Sequence, residues 1–131
     1  MTQPLFTGVH HVAIITADYA ASKRFYVDIL QAEVIEEHYR AERDSYKLDL
    51  RLADGVQIEL FSFPFPPKRL SYPEACGLRH LAFTVSDIDA AIARVTAHGV
   101  AVEPVRVDEF TGARFTFFAD PDGLPIEVYE M

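Results

Sequence analysis

The alternation of apolar and polar residues along the chain is repeated. One strand-like stretch occurs twice, as His11-Val-Ala-Ile-Ile-Thr-Ala-Asp18 and as His80-Leu-Ala-Phe-Thr-Val-Ser-Asp87. A second stretch also occurs twice, as Gln57-Ile-Glu59-Leu-Phe and as Pro125-Ile-Glu127-Val-Tyr. The His precedes the Glu by 48 positions in the first copy and by 47 in the second. Because the two patterns recur in register, the sequence predicts two copies of one module.

Both modules show the element order β-α-β-β-β. In the first, two-residue alternation predicts strands, and apolar residues three and four positions apart predict a helix. The strands are expected over about 8–16, 34–39, 46–52 and 56–63, and the helix over about 19–30. In the second module a helix follows Asp87 and ends at His98-Gly99. Its strands are expected over about 78–85, 102–107, 114–118 and 125–129.

The chain length bounds the domain organisation. A chain of 131 residues suits one domain, here residues 1–131. Within that domain we expect module one over about 8–63 and module two over about 78–131. The proline-rich segment between them, about 64–77, is predicted to be a surface linker. Since neither half is expected to stand alone, the halves are modules of an α+β fold.

Composition narrows the classes of partner. The net charge of −8 and the scattered basic residues disfavour nucleic acid, which leaves a small-molecule substrate as the expected partner. No apolar run approaches the roughly 20 residues of a membrane helix, and the N-terminus lacks the pattern of a secretory signal, so a cytoplasmic location is expected. Cys76 is the only cysteine, which excludes an internal disulfide. A catalytic cysteine needs a nearby base, and the first copy of the repeat has no cysteine, so Cys76 is given no catalytic role.

Strand alternation places four polar side chains opposite the helix-facing residues. They are His11, Glu59, His80 and Glu127. Two imidazoles and two carboxylates suit one divalent metal ion, of which Zn, Ni, Co, Mn and Fe all remain possible. The alternative is that these are core histidines and salt-bridged edge carboxylates. That alternative leaves unexplained why two carboxylates lie in otherwise apolar strands, where an unpaired buried charge is costly.

The other histidines are not expected to bind the metal. His10 adjoins His11, but Arg79 occupies its position in the second copy, so the repeat favours His11 as the ligand. His98 lies in the last turn of a predicted helix, where a contact with the helix dipole explains it. His38 has no assigned role.

The same residues resemble those of the vicinal oxygen chelate family, the glyoxalase, bleomycin-resistance and dioxygenase proteins. The resemblance covers nearly the whole chain. It rests on both His-containing openings, on Phe25-Tyr26, and on the ending Phe118-Ala-Asp-Pro-Asp-Gly123-Leu-Pro-Ile-Glu127. It implies paired β-α-β-β-β modules that form a curled mixed sheet around one metal, with the helices on the outer face. It also implies that His11, Glu59, His80 and Glu127 are the ligands.

A Glu in both modules is similar to glyoxalase I, because extradiol dioxygenases and fosfomycin-resistance enzymes typically use two His and one Glu. The implied function is a divalent-metal-dependent, glyoxalase-like isomerase or lyase that acts on a small dicarbonyl thiol adduct through an enediolate. Glu127 is the implied catalytic base, with Glu59 as its counterpart. Small members of the family commonly form homodimers, so a homodimer is expected, with the ligands supplied by one chain or by two.

Other functions within the family remain open. An enzyme similar to methylmalonyl-CoA epimerase is disfavoured because that enzyme typically has Gln at the position of Glu59. A dioxygenase-type enzyme is a further alternative. A small-molecule-binding protein would use aromatic residues to line its cup, namely Phe61, Phe63, Phe117 and Tyr129. Candidates for binding a charged substrate are Arg40, Arg43, Lys47, Arg51, Lys68, Arg69 and Arg114.

Overall fold

The computed structural model describes residues 2–131, which form two compact units. The first unit ends at Pro66 and the second extends from Pro67 to Met131. The helices among residues 2–131 are all too short or too polar to span a bilayer. The expectation that the chain is one domain stays a prediction.

The first unit contains a four-stranded mixed sheet with one α-helix. Its elements are β1 (His11–Thr16), α1 (Tyr19–Arg24), β2 (Glu33–Arg40), β3 (Ser45–Arg51) and β4 (Gln57–Ser62). The strands lie in the order β1-β4-β3-β2, with β1 parallel to β4 and the other neighbours antiparallel. Asp18 caps α1, because its carboxylate accepts a hydrogen bond from the Ala21 N–H. This sheet therefore places β1 directly beside β4.

The second unit repeats this arrangement. Its elements are β5 (Leu81–Val85), α2 (Ile88–Ala97), β6 (Arg106–Val107), β7 (Arg114–Ala119) and β8 (Pro125–Glu130). The strands lie in the order β5-β8-β7-β6, with β5 parallel to β8. Asp87 caps α2 as Asp18 caps α1, through a hydrogen bond from the Ala90 N–H. The α+β fold and the β-α-β-β-β order of both modules are thus confirmed.

In each unit one face of the sheet is buried and contacts the helix. Ile58 and Leu60 of β4 are buried on the face that contacts α1, and Ile126 and Val128 of β8 are buried on the face that contacts α2. The residues between them point to the opposite face and remain partly exposed. Glu59 and Glu127 belong to this second set, as alternation predicts.

Two predicted elements differ from the structure. The first helix was expected to be regular to residue 30, but it becomes π-helical over Phe25–Ile29, where the Leu30 N–H donates to the Phe25 carbonyl. The strand expected over 102–107 is reduced to Arg106–Val107. Pro104 shortens the strand because it has no N–H to donate to a neighbouring strand. The carbonyl of the preceding residue, Glu103, accepts a hydrogen bond from the Thr116 hydroxyl.

The two strands that begin near the candidate histidines start later in the chain than predicted. Strand β1 begins at His11 rather than at residue 8, and β5 begins at Leu81 rather than at residue 78. The first histidine is therefore the first residue of its strand, and His80 immediately precedes the second strand. Both histidines lie at the same end of equivalent strands.

Candidate metal centre

In the first unit, His11 and Glu59 lie side by side on the exposed face of the sheet. Their strands are parallel neighbours, and the residue opposite Glu59 on β1 is Ala13. The small alanine side chain leaves the space beside the carboxylate open to His11. His11 Nε2 lies 3.5 Å from Glu59 Oε2. The pair therefore follows from strand register and from one small residue.

In the second unit, His80 and Glu127 form the same arrangement. The residue opposite Glu127 on β5 is Ala82, the counterpart of Ala13. His80 Nε2 lies 3.2 Å from Glu127 Oε1. The two carboxylates are also buried to a similar extent, since Glu59 exposes 18% of its side chain and Glu127 exposes 15%. The internal repeat has thus preserved a His–Glu pair, not only a sequence pattern.

The four predicted ligands are brought together as two pairs. Among residues 2–131, no group of three or more His, Cys, Asp or Glu side chains could hold a metal ion as placed. Within each pair, however, the donor spacing suits a shared ion. Ligand bonds of about 2.1 Å separate adjacent donors by about 3.0 Å in an octahedron and about 3.4 Å in a tetrahedron, close to the observed 3.2 and 3.5 Å. The chemistry and spacing of both pairs therefore fit a divalent metal.

The second nitrogen of each imidazole also has a neighbour. His11 Nδ1 lies 2.9 Å from His10 Nδ1, and His80 Nδ1 lies 3.2 Å from Arg79 Nη1. When His11 Nδ1 carries the proton and donates a hydrogen bond to His10 Nδ1, the Nε2 lone pair of His11 faces Glu59. Sequence analysis gave His10 no ligand role, and the structure places it behind the candidate ligand. The sequence feature that could have indicated this contact is that His10 is the immediate neighbour of His11.

The two pairs differ in what lies next to the carboxylate. Asp49 of β3 is the cross-strand partner of Glu59, and Lys47 Nζ lies 2.8 Å from Asp49 Oδ1. The hydrogen bond to Asp49 raises the pKa of Lys47, although partial burial acts in the opposite direction. In the second unit the partner of Glu127 is Phe117. One carboxylate is therefore flanked by an ion pair and the other by an aromatic ring.

A shallow pocket of about 110 Å³ opens beside His80 in the second unit. The Phe117 ring meets the His80 ring edge-on at 5.1 Å between centroids. Arg106 lies over the same ring, with its guanidinium carbon 5.3 Å from the centroid. The pocket is lined by Ser71, Tyr72, Glu74, Arg79, His80, Glu103, Arg106, Phe117 and Pro125. Sequence analysis missed Arg106 because a lone arginine in a short edge strand has no distinguishing pattern.

Most of the basic residues proposed to bind substrate already contact protein acceptors. Arg114 contacts both Glu130 and Asp89, and the hydrogen bond from Arg114 lowers the pKa of Glu130. Arg69 donates to the carbonyls of Leu78 and Arg79. These arginines hold loops and strand ends in place. Arg51 similarly lies within 3.8 Å of Glu33.

The aromatic residues predicted to line a cup have separate surroundings. Phe61 and Phe63 stack with centroids 6.2 Å apart, and Phe117 contacts His80. The Tyr129 hydroxyl donates to Asp108 Oδ2 at 2.9 Å and also contacts the Thr111 hydroxyl. Backbone N–H groups, first that of Phe110, and the Tyr129 hydroxyl lower the pKa of Asp108. Tyr129 therefore anchors the 108–112 turn beside the strand that carries Glu127.

Comparison with known proteins identifies close relatives across nearly the whole chain. The chain is 63% identical over 122 residues to the uncharacterized protein YaeR of Escherichia coli strain K12, covering 93% of this chain and 95% of that protein. It is 50% identical to a glyoxalase family protein from Enterococcus faecalis of known crystal structure. That match has a TM-score of 0.89 and covers 97% of this chain and 100% of the other.

Two more distant matches have named activities or ligands. The 2-epi-5-epi-valiolone epimerase of Actinomyces sp is 29% identical over 149 residues, covering 98% of this chain and 81% of that protein. The fold is shared with the fosfomycin resistance protein FosX of Listeria monocytogenes, a mutant of which was solved with Mn(II) and a dihydroxypropylphosphonic acid. That structure is 23% identical, has a TM-score of 0.77, and covers 97% of this chain and 94% of that chain.

Residues 8–128 match one family over almost the entire length of both units. The match spans both His–Glu pairs, and the solved relatives share the fold. The chain belongs to the Glyoxalase/Bleomycin resistance protein/Dioxygenase superfamily.

Proposed function

We propose that this protein is a divalent-metal-dependent isomerase or lyase of the glyoxalase type, acting on a small dicarbonyl thiol adduct. The observation that carries the proposal is the His–Glu pair that occurs in both units, at equivalent strand positions and with an alanine opposite each carboxylate. A structural salt bridge alone does not require the same two residues and the same small neighbour twice. A metal centre built from one pair of ligands in each unit does require both the same two residues and room beside each carboxylate.

Four residues would hold the metal: His11, Glu59, His80 and Glu127. The imidazoles supply neutral nitrogen ligands and the carboxylates supply oxygen, a set that suits Zn, Ni, Co, Mn or Fe. When bound, the ion supplies Lewis-acid stabilisation of negative charge on substrate oxygens. The pairs of one chain, or one pair from each of two chains in a homodimer, would complete the set. Membership of a superfamily that includes an Mn(II)-bound protein supports this assignment.

The proton transfer is assigned to the carboxylates. Glu127 is the proposed base, which removes the proton from the hemithioacetal carbon, the carbon that carries both the hydroxyl and the sulfur, and returns it to the adjacent carbonyl carbon. The hydroxyl proton passes to the oxygen of that adjacent carbon, so the substrate is isomerised with no net loss of protons. Phe117 is the cross-strand partner of Glu127, so an apolar aromatic side chain lies beside the proposed base. Glu59, next to the Lys47–Asp49 ion pair, has a more polar setting and is the proposed counterpart. The different neighbours support different roles for two residues with the same sequence pattern.

Substitution of the base tests this assignment. Glu127→Gln keeps the size of the side chain but cannot accept the substrate proton, so turnover of a methylglyoxal–glutathione adduct by the metal-loaded protein should fall by a factor of about 10²–10⁴. His98→Gln is the control, because His98 lies at the end of α2 with its ring beside the Arg94 carbonyl. A metal-loaded Glu127→Gln variant with full activity would contradict the assignment of the base.

A second candidate function is epimerisation next to a carbonyl. The relative named 2-epi-5-epi-valiolone epimerase favours it, since the match covers 98% of this chain. Epimerisation also requires a base that removes a proton and an acid that returns it, and Glu127 and Glu59 can serve as the two. Solvent deuterium incorporation into a substrate that is recovered as its epimer would favour this reaction. Tight ligand binding without turnover of either substrate class would instead indicate a binding protein.

A further inference from the structure

Arg40, the last residue of β2, lies over an aromatic surface in the first unit. Its guanidinium carbon is 5.0 Å from the centroid of the Phe61 ring and 5.8 Å from that of Phe63. Arg40 Nη2 donates a hydrogen bond of 2.8 Å to the Ser45 hydroxyl. Two rings and one neutral acceptor thus fix the orientation of the guanidinium.

The positive charge of Arg40 has no carboxylate partner in the part of the chain that the structure describes. All the ion pairs of arginine found among residues 2–131 involve other arginines. Arg40 Nε is buried and has no hydrogen-bond acceptor. A buried donor without an acceptor costs free energy, which an added acceptor would recover. The guanidinium is therefore oriented but incompletely satisfied.

A related arrangement in the second unit contains the missing carboxylate. The guanidinium carbon of Arg106 lies 5.2 Å from the Phe115 ring and 5.3 Å from the Phe117 ring. Here Glu103 Oε1 lies 2.9 Å from Arg106 Nη2. This arginine over two rings is paired with an oxyanion from its own chain. Arg40 has the same kind of aromatic support and lacks the oxyanion.

Arg40 is also on the sheet face that carries the candidate ligands. Phe61 is two residues beyond Glu59 on β4, so both side chains point to the same face, about 7 Å apart along the strand. Lys47 Nζ lies 5.9 Å from the same Phe61 ring, but it is engaged with Asp49. Arg40 is the cation next to Phe61 that remains available to a ligand.

We propose that Arg40 binds an oxyanion group of the substrate, a carboxylate or a phosphate-type group, on the face that carries His11 and Glu59. This rests on the proposed function only in treating the oxyanion as part of the substrate. The planar guanidinium can offer two parallel N–H donors to such a group. Arg40 is partly exposed, so the oxyanion approaches the outer N–H groups of the guanidinium from solvent.

Binding can be tested without metal or turnover. Wild-type protein labelled with nitrogen-15 is titrated with acetate in one arm and with inorganic phosphate in the other, while the Arg40 Nε–H and the backbone amides of Phe61 and Phe63 are followed by NMR. A saturable shift is expected in at least one arm, and the arm that saturates identifies the oxyanion. Arg40→Gln should weaken the response by about tenfold or more, as for loss of one charge-assisted hydrogen bond.

Two variants separate this role from a structural one. Arg106→Gln also removes an arginine stacked on two rings, and it should leave the response unchanged because Glu103 already occupies that arginine. Arg40→Lys keeps the charge but not the planar pair of donors, so it should retain the fold and bind more weakly than wild type. Thermal unfolding of each variant verifies the fold. No saturable shift with either anion, or an equal response in Arg40→Gln, would overturn the proposal.

A kinetic arm connects the site to substrate. If wild-type protein turns over the dicarbonyl thiol adduct, Arg40→Gln should raise KM by about tenfold or more with a smaller change in kcat, as for loss of uniform binding. An unchanged KM would overturn the link to substrate. If wild-type protein shows no turnover, the proposed function fails, whereas the anion titrations still decide whether Arg40 binds an oxyanion.

Discussion

The turn that leads into β8 gives the most quantitative prediction. Asp120 is buried, and its Oδ1 accepts hydrogen bonds of 2.9 Å from the N–H groups of Asp122 and Leu124. The Gly123 N–H donates back to the Asp120 carbonyl. This turn determines where β8 begins, shortly before Glu127. Asp120→Ala removes an acceptor from two backbone donors at once.

The expected loss can be worked from these two hydrogen bonds. A hydrogen bond to a charged group contributes about 1.5–3 kcal/mol, and a donor left buried costs a similar amount. The contact to Leu124 is buried, whereas that to Asp122 is partly exposed and can be replaced by water. Asp120→Ala should therefore lower the free energy of unfolding by about 3 kcal/mol, and Asp120→Asn, which keeps an oxygen acceptor, by about 1 kcal/mol.

The equivalent turn of the first unit supplies the control. Asp54 makes one exposed hydrogen bond, from the Val56 N–H to Asp54 Oδ1 at 3.0 Å. Asp54→Ala should therefore cost only about 0.5–1 kcal/mol. Urea denaturation of both variants, with the slope of the transition unchanged, measures the difference. If Asp120→Ala loses no more stability than Asp54→Ala, the two hydrogen bonds that Asp120 accepts are not what stabilises this turn.

Three further predictions concern the surroundings of the candidate site. Gly123 has a positive φ of 85°, so Gly123→Ala should lower the free energy of unfolding by about 1 kcal/mol in urea denaturation, whereas Gly8→Ala, where no positive φ is required, should be nearly neutral. The folded-state pKa of Glu130 is lowered by Arg114, so its stabilisation is present above its usual pKa and lost as the pH falls through the lowered value. The stability difference between wild type and Glu130→Gln should therefore be largest at pH 7 and should disappear in acid, and a difference that persists in strong acid, well below the usual pKa of Glu, would contradict this reasoning. Ala82→Leu, opposite Glu127, should lower metal affinity by about tenfold with little loss of thermal stability, and calorimetric titration with Zn measures this.

The sequence was sufficient to predict the repeat, the element order and the face on which Glu59 and Glu127 lie. Strand alternation carries this information, because Ile58 and Leu60 must pack against the helix and Glu59 between them must then point to the opposite face. The helix starts were predictable for a similar reason, since Asp18 and Asp87 are strong N-caps. These features depend on local chemistry alone.

The features that were not predicted depend on neighbours distant in sequence. The partnership of Asp49 with Glu59 and of Phe117 with Glu127 is set by antiparallel register, which the sequence does not specify to a single residue. The length of the strand predicted over 102–107 was overestimated because the prediction did not allow for Pro104, which cannot donate a backbone hydrogen bond to a neighbouring strand. Arg106 was missed since its role depends on rings of β7. The single-domain assignment and the four-ligand set stay predictions.

Metal content of the purified protein tests the central claim most directly. Protein purified without added metal is analysed by elemental analysis, stripped with chelator and reloaded with Zn, Ni, Co or Mn, in parallel with His80→Ala and the control His38→Ala. His38 lies on β2 with its ring beside Glu36 and has no ligand role. The account predicts one divalent ion per chain in wild type and in the control, and loss of the ion in His80→Ala. Equal metal in His80→Ala, or no uptake by wild type on reloading, would contradict it.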